Sequence, residues 1–234
     1  MNLQKEIEAE LKSRGADFVY FADISALPVQ QNKNFPAAIL IAKILSKEYL
    51  AEITSHPNYV QEKIKTKIVQ TDEFEHSEKF TDALADFTAG FIAKKGFAAY
   101  SQSENNIANS GFYDFENKRT PLPHKTIALL AGLGWIGKHN LLVTREFGSA
   151  LSMCTVLTDA PLKTAAYRLT KSKCGNCRVC IDVCTCAAIL GKNWEPGLQR
   201  EEIINVTRCT TCLRCLVFCP WTQKYMVRKS ENIT

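Results

Sequence analysis

The chain has 234 residues, of which 46% are hydrophobic, and a formal net charge of +5. That is enough apolar content for a buried core, in one domain with an appendage or in two modest domains. Apolar runs approaching the roughly 18 residues of a membrane span are missing, the start is charged with no apolar leader, and the charges are interspersed; no membrane is expected, the cytoplasm is the expected location, and no nucleic-acid partner is implied.

Leu3, Ile7 and Leu11 recur at helical spacing and Gly15 offers a stop, which predicts a first helix. Phe18 to Asp23 and Ala37 to Ile44 are short apolar runs bounded by polar or turn residues and read as two buried strands. Phe80, Leu84, Phe87 and Phe91 then fall on one helical stripe ahead of Gly96, so this aromatic stripe is expected to be packing. Phe97 to Ser101 reads as a strand. The polar stretch that follows, SENNIANSGFYDFENKRTPLP, has no periodicity and reads as a long loop packed through Phe112, Tyr113 and Phe115. His124 to Leu133 reads as a helix and Leu141 to Thr144 as a strand. A linker is expected over Asp159 to Ser172, between domains 1–165 and 166–234.

Gly132-Leu-Gly134-Trp-Ile-Gly137 matches a dinucleotide-binding pattern, which requires a strand before the glycines and a helix after them. The order here is inverted. The glycines read instead as a helix C-terminus and a bare loop that a large ligand could approach.

Of ten cysteines, eight form two identical C-x2-C-x2-C-x3-C runs, at Cys174, Cys177, Cys180 and Cys184, and at Cys209, Cys212, Cys215 and Cys219. In a chain without an export signal, metal binding is the better default than disulfides. The spacing is that of ferredoxin-type [4Fe-4S] clusters, in which three thiolates of one run share a cluster with the fourth of the other. Cys174, Cys177, Cys180 and Cys219 are assigned to one cluster, and Cys209, Cys212, Cys215 and Cys184 to the other. Structural zinc would need only separated C-x2-C pairs. Thr185 follows Cys184 where a proline is usual, and Cys186 stands two residues on, as an alternative ligand or a buried free thiol. Cys154 has no assigned role.

The segment AGLGWIGKHNLLVTREFGSALSMCTVLTDAPL (131–162), with the two cysteine runs and Cys219-Pro-Trp-Thr222, resembles the epoxyqueuosine reductase family, which is related to the reductive dehalogenases. The resemblance covers roughly residues 1–225 in element order and is specific from Ala131 onward. It implies an α+β chain, with a nitroreductase-like N-terminal domain followed by a ferredoxin-like two-cluster domain. It also implies a reductase that passes electrons through two [4Fe-4S] clusters to a bound cobalamin, fed by a ferredoxin or flavodoxin. Gly132, Gly134, Trp135, Gly137, Lys138, Phe147, Gly148 and Ser149 match the segment that lies against the corrinoid in the family; for Trp135 core packing is an equal reading. The position of the family's proton-donating aspartate falls on Lys118, which leaves nearby Asp114 as the substitute acid. The chain stops at Thr234, before the helical repeats of longer tRNA-acting members, so the substrate is expected to be a small molecule, nucleoside or protein, with tRNA not implied. The competing reading is a ferredoxin-type carrier that reduces a partner protein, such as a corrinoid protein, and a weaker one gives the first domain a flavin.

Overall fold

The computed structural model describes residues 2–164 and 169–228, so the expected boundary at 165/166 and the middle of the expected linker lie outside the described residues. Helices and strands are mixed throughout, giving an α+β chain. By contacts the chain divides into two compact units, each assembled from separate stretches: Met1–Ile44, Phe74–Leu133 and Ser152–Leu169 form the first, and Leu45–Glu73, Gly134–Leu151 and Thr170–Thr234 the second. Segments 45–73 and 134–151 thus pack with the cysteine runs, although both precede residue 165.

The first unit is built on strands β1 (Phe18–Asp23), β2 (Ala37–Ile44) and β3 (Ala99–Ser101). β4 (Trp135–Ile136) and β5 (Leu142–Val143) belong to the second unit, and β6 (Leu151–Thr158) completes the sheet of the first. The sheet order is β1-β2-β6-β3. β1 runs antiparallel to β2 with Phe18 opposite Ala42 and Asp23 opposite Ala37, and β3 antiparallel to β6 with Ala99 opposite Thr158. The two central strands are the two with nearly continuous burial, which is what their unbroken apolar runs require when both faces are covered.

The helix Leu3–Ser13 starts on the Asn2 side chain, which accepts from the Gln4 N–H at 3.1 Å, and buries Ile7 and Leu11 against Ile39, Ile41, Cys154 and Val156. The long helix Glu73–Lys94 buries a stripe displaced from the expected aromatic one: Ser77, Thr81, Leu84, Ala85, Thr88 and Ile92 face inward. Small side chains allow close approach, while the phenylalanines flank the contact. Phe80 and Phe91 are only partly buried, and Phe87 lies under the Arg14 guanidinium at 3.7 Å. Polar residues 104–109, expected as loop, form a short helix (Glu104–Asn109), and Asp114 and Arg119 pair across a tight turn.

Helix His124–Leu130 ends three residues earlier than expected. Gly132 has φ +74, its N–H bonds Leu129 O at 2.9 Å, and the Leu133 N–H bonds Ala128 O at 3.0 Å. This is a Schellman stop, in which the first glycine of the motif supplies the left-handed residue.

In the second unit β4 and β5 form a hairpin with Trp135 opposite Val143. The glycine motif therefore follows a helix and enters a hairpin, the reverse of a dinucleotide-binding unit. Among the described residues no helix is long and apolar enough to cross a membrane.

Candidate metal centre

Each cysteine run is a loop followed by one helical turn. In the first, Gly175 (φ +53) turns the chain between Cys174 and Cys177, and the short helix Val179–Asp182 carries Cys180. In the second, Thr211 (φ +53) and Leu213 (φ +58) take the left-handed conformation, and the helix Arg214–Val217 carries Cys215. Left-handed residues among right-handed ones turn successive N–H groups toward one side, the backbone nest that suits an anionic cluster. Cys219 caps the helix Pro220–Val227, with Pro220 at its first position, where no N–H is missed.

The structure brings Cys174, Cys177, Cys180 and Cys219 together around one cavity of about 90 Å3, with Lys138, Lys173 and Trp221 in its wall. Three of these thiols come from the first run and one from the second. Burial, reinforced by Cys174, Cys219 and Cys177, pushes the Cys180 thiol up to about 12. Cys215 is likewise pushed up by burial, then by Cys212, Cys209, Cys180 and Cys184. Burial also raises Cys219. Buried neutral thiols ionise only when a cation compensates them, so this pattern suits a metal cluster. The thiols line a space, the arrangement that an iron–sulfur cube needs. The Trp135 indole Nε1 adds to this fit: it is buried without a hydrogen-bond partner, and its ring packs against Cys219.

The residues expected against a corrinoid have other employment. A Cβ on Gly134 would stand 2.1 Å from Val143 O, one on Gly137 2.6 Å from the His139 ring, and one on Gly148 (φ +59) 2.2 Å from Thr222 N. Their bareness is consumed by the unit's own packing, and Gly132 serves the helix stop. Trp135 is 1% exposed and meets Trp221 edge-on, with ring centroids 5.0 Å apart. Phe147 is buried edge-on to Tyr225. The Ser149 N–H donates to Thr222 Oγ1 at 3.0 Å, and its hydroxyl lies 3.3 Å from His139 Nε2. Lys138 Nζ donates to the Cys177 carbonyl at 2.9 Å, tying the hairpin to the first cysteine loop. These residues build the scaffold of the thiol cavity and do not form an open cradle for a macrocycle.

The first unit holds a larger cavity of about 480 Å3, walled by Asp82 of the long helix, Gln102, Tyr113 and Phe115 of the following segment, His124 and Met153. His124 Nδ1 lies 2.8 Å from Thr155 Oγ1, and burial pushes the imidazole down to about 4, so it is neutral at ordinary pH. Gln102 Nε2 donates to Leu122 O at 2.7 Å, which fixes the amide and leaves its buried Oε1 without a partner. Sequence reasoning missed Asp82, Gln102 and His124; the sole hint was the length of the segment 103–123, which begins just after Gln102 and carries Tyr113 and Phe115.

Asp114 is not placed as a proton donor. It is exposed, and its two carboxylate oxygens accept from the Asn117 N–H at 3.0 Å and Nδ2 at 2.8 Å, which hold the acid below its ordinary range. It caps a turn, and its neighbours Tyr113 and Phe115 face the cavity instead. Lys118 sits in the same turn with φ +49. Cys154 lies in the core of the first unit, where burial and then Asp82 raise its thiol, so it is an inert packing residue.

No protein-family profile matches the chain. The epoxyqueuosine reductase of Pseudomonas aeruginosa is 32% identical over 130 residues, covering 48% of this chain and 35% of that protein. That of Synechococcus sp. (strain CC9605) is 47% identical over 90 residues, 38% of this chain and 25% of that protein. The chain spans about a third of the length of the first of these curated relatives. In fold, the catabolic reductive dehalogenase NpRdhA matches with a TM-score of 0.63 at 19% identity, over 92% of this chain and 31% of that one. The epoxyqueuosine reductase from Streptococcus thermophilus matches with a TM-score of 0.53 at 16% identity, over 95% of this chain and 67% of that one.

Proposed function

From a chain that is epoxyqueuosine reductase-like, we propose an iron–sulfur oxidoreductase that takes single electrons from a ferredoxin or flavodoxin through two [4Fe-4S] clusters and uses them to reduce a substrate. The observation that carries this reading is the grouping of Cys174, Cys177, Cys180 and Cys219 around one cavity, three thiols from the first run and one from the second. Two clusters in one small unit move electrons one at a time, and the lysines beside the first favour its more negative reduced state. The reading carries with it a nitroreductase-like first unit and a ferredoxin-like second one.

The cavity of the first unit supports an enzyme over a plain carrier, since a cavity of about 480 Å3 with a few converging polar groups is the size and character of a small-molecule site. A reducible small molecule or nucleoside fits that volume. One solved epoxyqueuosine reductase, with a TM-score of 0.54, holds an epoxyqueuosine-modified tRNA stem loop, which makes the modified nucleoside the first substrate to try. Cobalamin is part of the family-based reading; Gly134, Gly137 and Gly148, which the resemblance sets against it, pack closely on their own unit.

The test is the cofactor content and turnover of anaerobically prepared protein, supplied with cobalamin and a reduced ferredoxin. About eight irons per chain and reduction of epoxyqueuosine, as nucleoside or stem loop, support the proposal. Iron with electron transfer to a partner protein but no substrate turnover favours the carrier. Zinc, or about four irons, overturns both.

A further inference from the structure

Resting on the two-cluster reading, we propose that the second cluster is served by five thiols for four irons, with Cys186 as an exchangeable reserve for Cys184. The first cavity already has its four thiols, Cys174, Cys177, Cys180 and Cys219. Around the second run, Cys209, Cys212 and Cys215 supply three, and two candidates remain for the fourth.

Both candidates are placed for it. The Asn205 N–H donates to Ala188 O and the Leu190 N–H to Ile203 O, both at 2.8 Å, which holds the segment 184–190 beside the approach to the second run, and Cys184 Sγ lies 3.7 Å from Cys186 Sγ. The Thr210 N–H, between Cys209 and Cys212, lies within hydrogen-bonding reach of Cys186, so this thiol also faces the loop of the second run. The difference between the two ends of the runs explains how a fifth thiol fits. Cys219 is followed by Pro220 and locked at the start of a helix. Cys184 is followed by Thr185-Cys186-Ala187, and Ala187 adopts the left-handed conformation (φ +50), which turns the chain back so that the Ala188 N–H donates to Cys184 Sγ at 3.3 Å. A side chain with a Cβ adopts that conformation at a cost, and here it returns a donor to Cys184 while leaving Cys186 beside it.

The N–H on Cys184 Sγ makes Cys184 the resident ligand, and Cys186, with its Sγ 3.7 Å away, the sulfur that can replace it. Exchange breaks the iron bond to Cys184 and forms one to Cys186, while the proton of Cys186 passes to Cys184; no electron is moved.

The test compares Cys184→Ala, Cys186→Ala, the double variant and Cys212→Ala, the last as reference for a ligand lost without replacement, all reconstituted anaerobically with iron and sulfide. The readouts are iron content and the electron paramagnetic resonance of the reduced protein. The expected result is about eight irons and two reduced-cluster signals in each single alanine variant at 184 and 186, and loss of the second cluster in the double variant to the level of Cys212→Ala. A Cys184→Ala protein that matches Cys212→Ala in iron and signal, with the wild type intact, overturns the reserve ligand alone. So does a double variant that keeps the second cluster as well as Cys184→Ala does. A wild type with zinc or about four irons overturns the two-cluster reading and this inference with it.

Discussion

Replacing Gly148 by alanine tests how the scaffold holds the metal centre. Gly148 has φ +59, and an added Cβ would lie 2.2 Å from Thr222 N and 2.5 Å from both Thr222 Cα and Oγ1. Two of these atoms are backbone, so no rotamer relieves the overlap. The left-handed conformation costs alanine about 1–2 kcal/mol. Displacing Thr222 also loses the bond from the Ser149 N–H, 3.0 Å from Thr222 Oγ1, for about 1 kcal/mol more. With the shift of backbone that the overlap forces, the total is on the order of 3–5 kcal/mol. Thr222 lies three residues from Cys219 on the same short helix, so the damage reaches the first cluster before the second. Urea unfolding of iron-loaded protein, with iron content and paramagnetic resonance, gives both quantities. Thr222→Ala, which removes the hydroxyl but keeps the glycine, is expected to lose only about 1–2 kcal/mol. Gly148→Ala with stability within about 0.5 kcal/mol of the wild type and both clusters intact would refute the packing argument.

Raised thiols stabilise the metal-free fold below the ordinary thiol value and lose that contribution as pH climbs. Cys180 lies at about 12 against an ordinary 9.0, so metal-free protein should lose melting temperature between these values, while loaded protein, its thiolates already ionised, should not; equal alkaline losses would contradict this. His124, at about 4 against an ordinary 6.5, works in the opposite sense: its contribution, on the order of 3 kcal/mol, is present above the ordinary value and fades as pH falls toward 4, and His124→Asn should remove that part of the acid sensitivity. Trp135→Phe removes the partnerless indole N–H; a more negative midpoint of the first cluster at unchanged iron content is expected, and an unmoved midpoint would show that the N–H does not reach the cluster. Cys154→Ala should leave iron content unchanged, because this thiol is sealed in the core of the first unit; loss of iron would reopen its role.

What was legible in the sequence was what spacing alone encodes. The apolar runs Phe18–Asp23 and Ala37–Ile44 are strands over those same residues; the second is buried as expected, whereas the first, at the edge of the sheet, is fully buried only at Ala22. The cysteine spacing set Cys174, Cys177, Cys180 and Cys219 together, and these four line one cavity. Other features depend on partners distant in the chain. Whether Gly134, Gly137 and Gly148 lack a Cβ for a ligand or for their own unit is decided by Val143, His139 and Thr222, none of which a glycine pattern names. The stripe on the helix Glu73–Lys94 shifted because close packing selected Thr81, Ala85 and Thr88 over the larger phenylalanines. Helix Glu104–Asn109 has a single apolar side chain of any length, Ile107, and so no periodicity to read. Asp114 was chosen by nearness in sequence to a counted position, and nearness in sequence says nothing of a turn that spends both carboxylate oxygens on Asn117.

The most direct measurement compares Cys219→Ser with Cys177→Ser and Cys212→Ser by paramagnetic resonance of the reduced, iron-loaded proteins. Thiols drawn from both runs onto one cluster require Cys219→Ser to alter the same signal as Cys177→Ser and spare the one altered by Cys212→Ser. If Cys219→Ser instead alters the signal that Cys212→Ser alters, each run holds its own cluster and the account of the metal centre is contradicted.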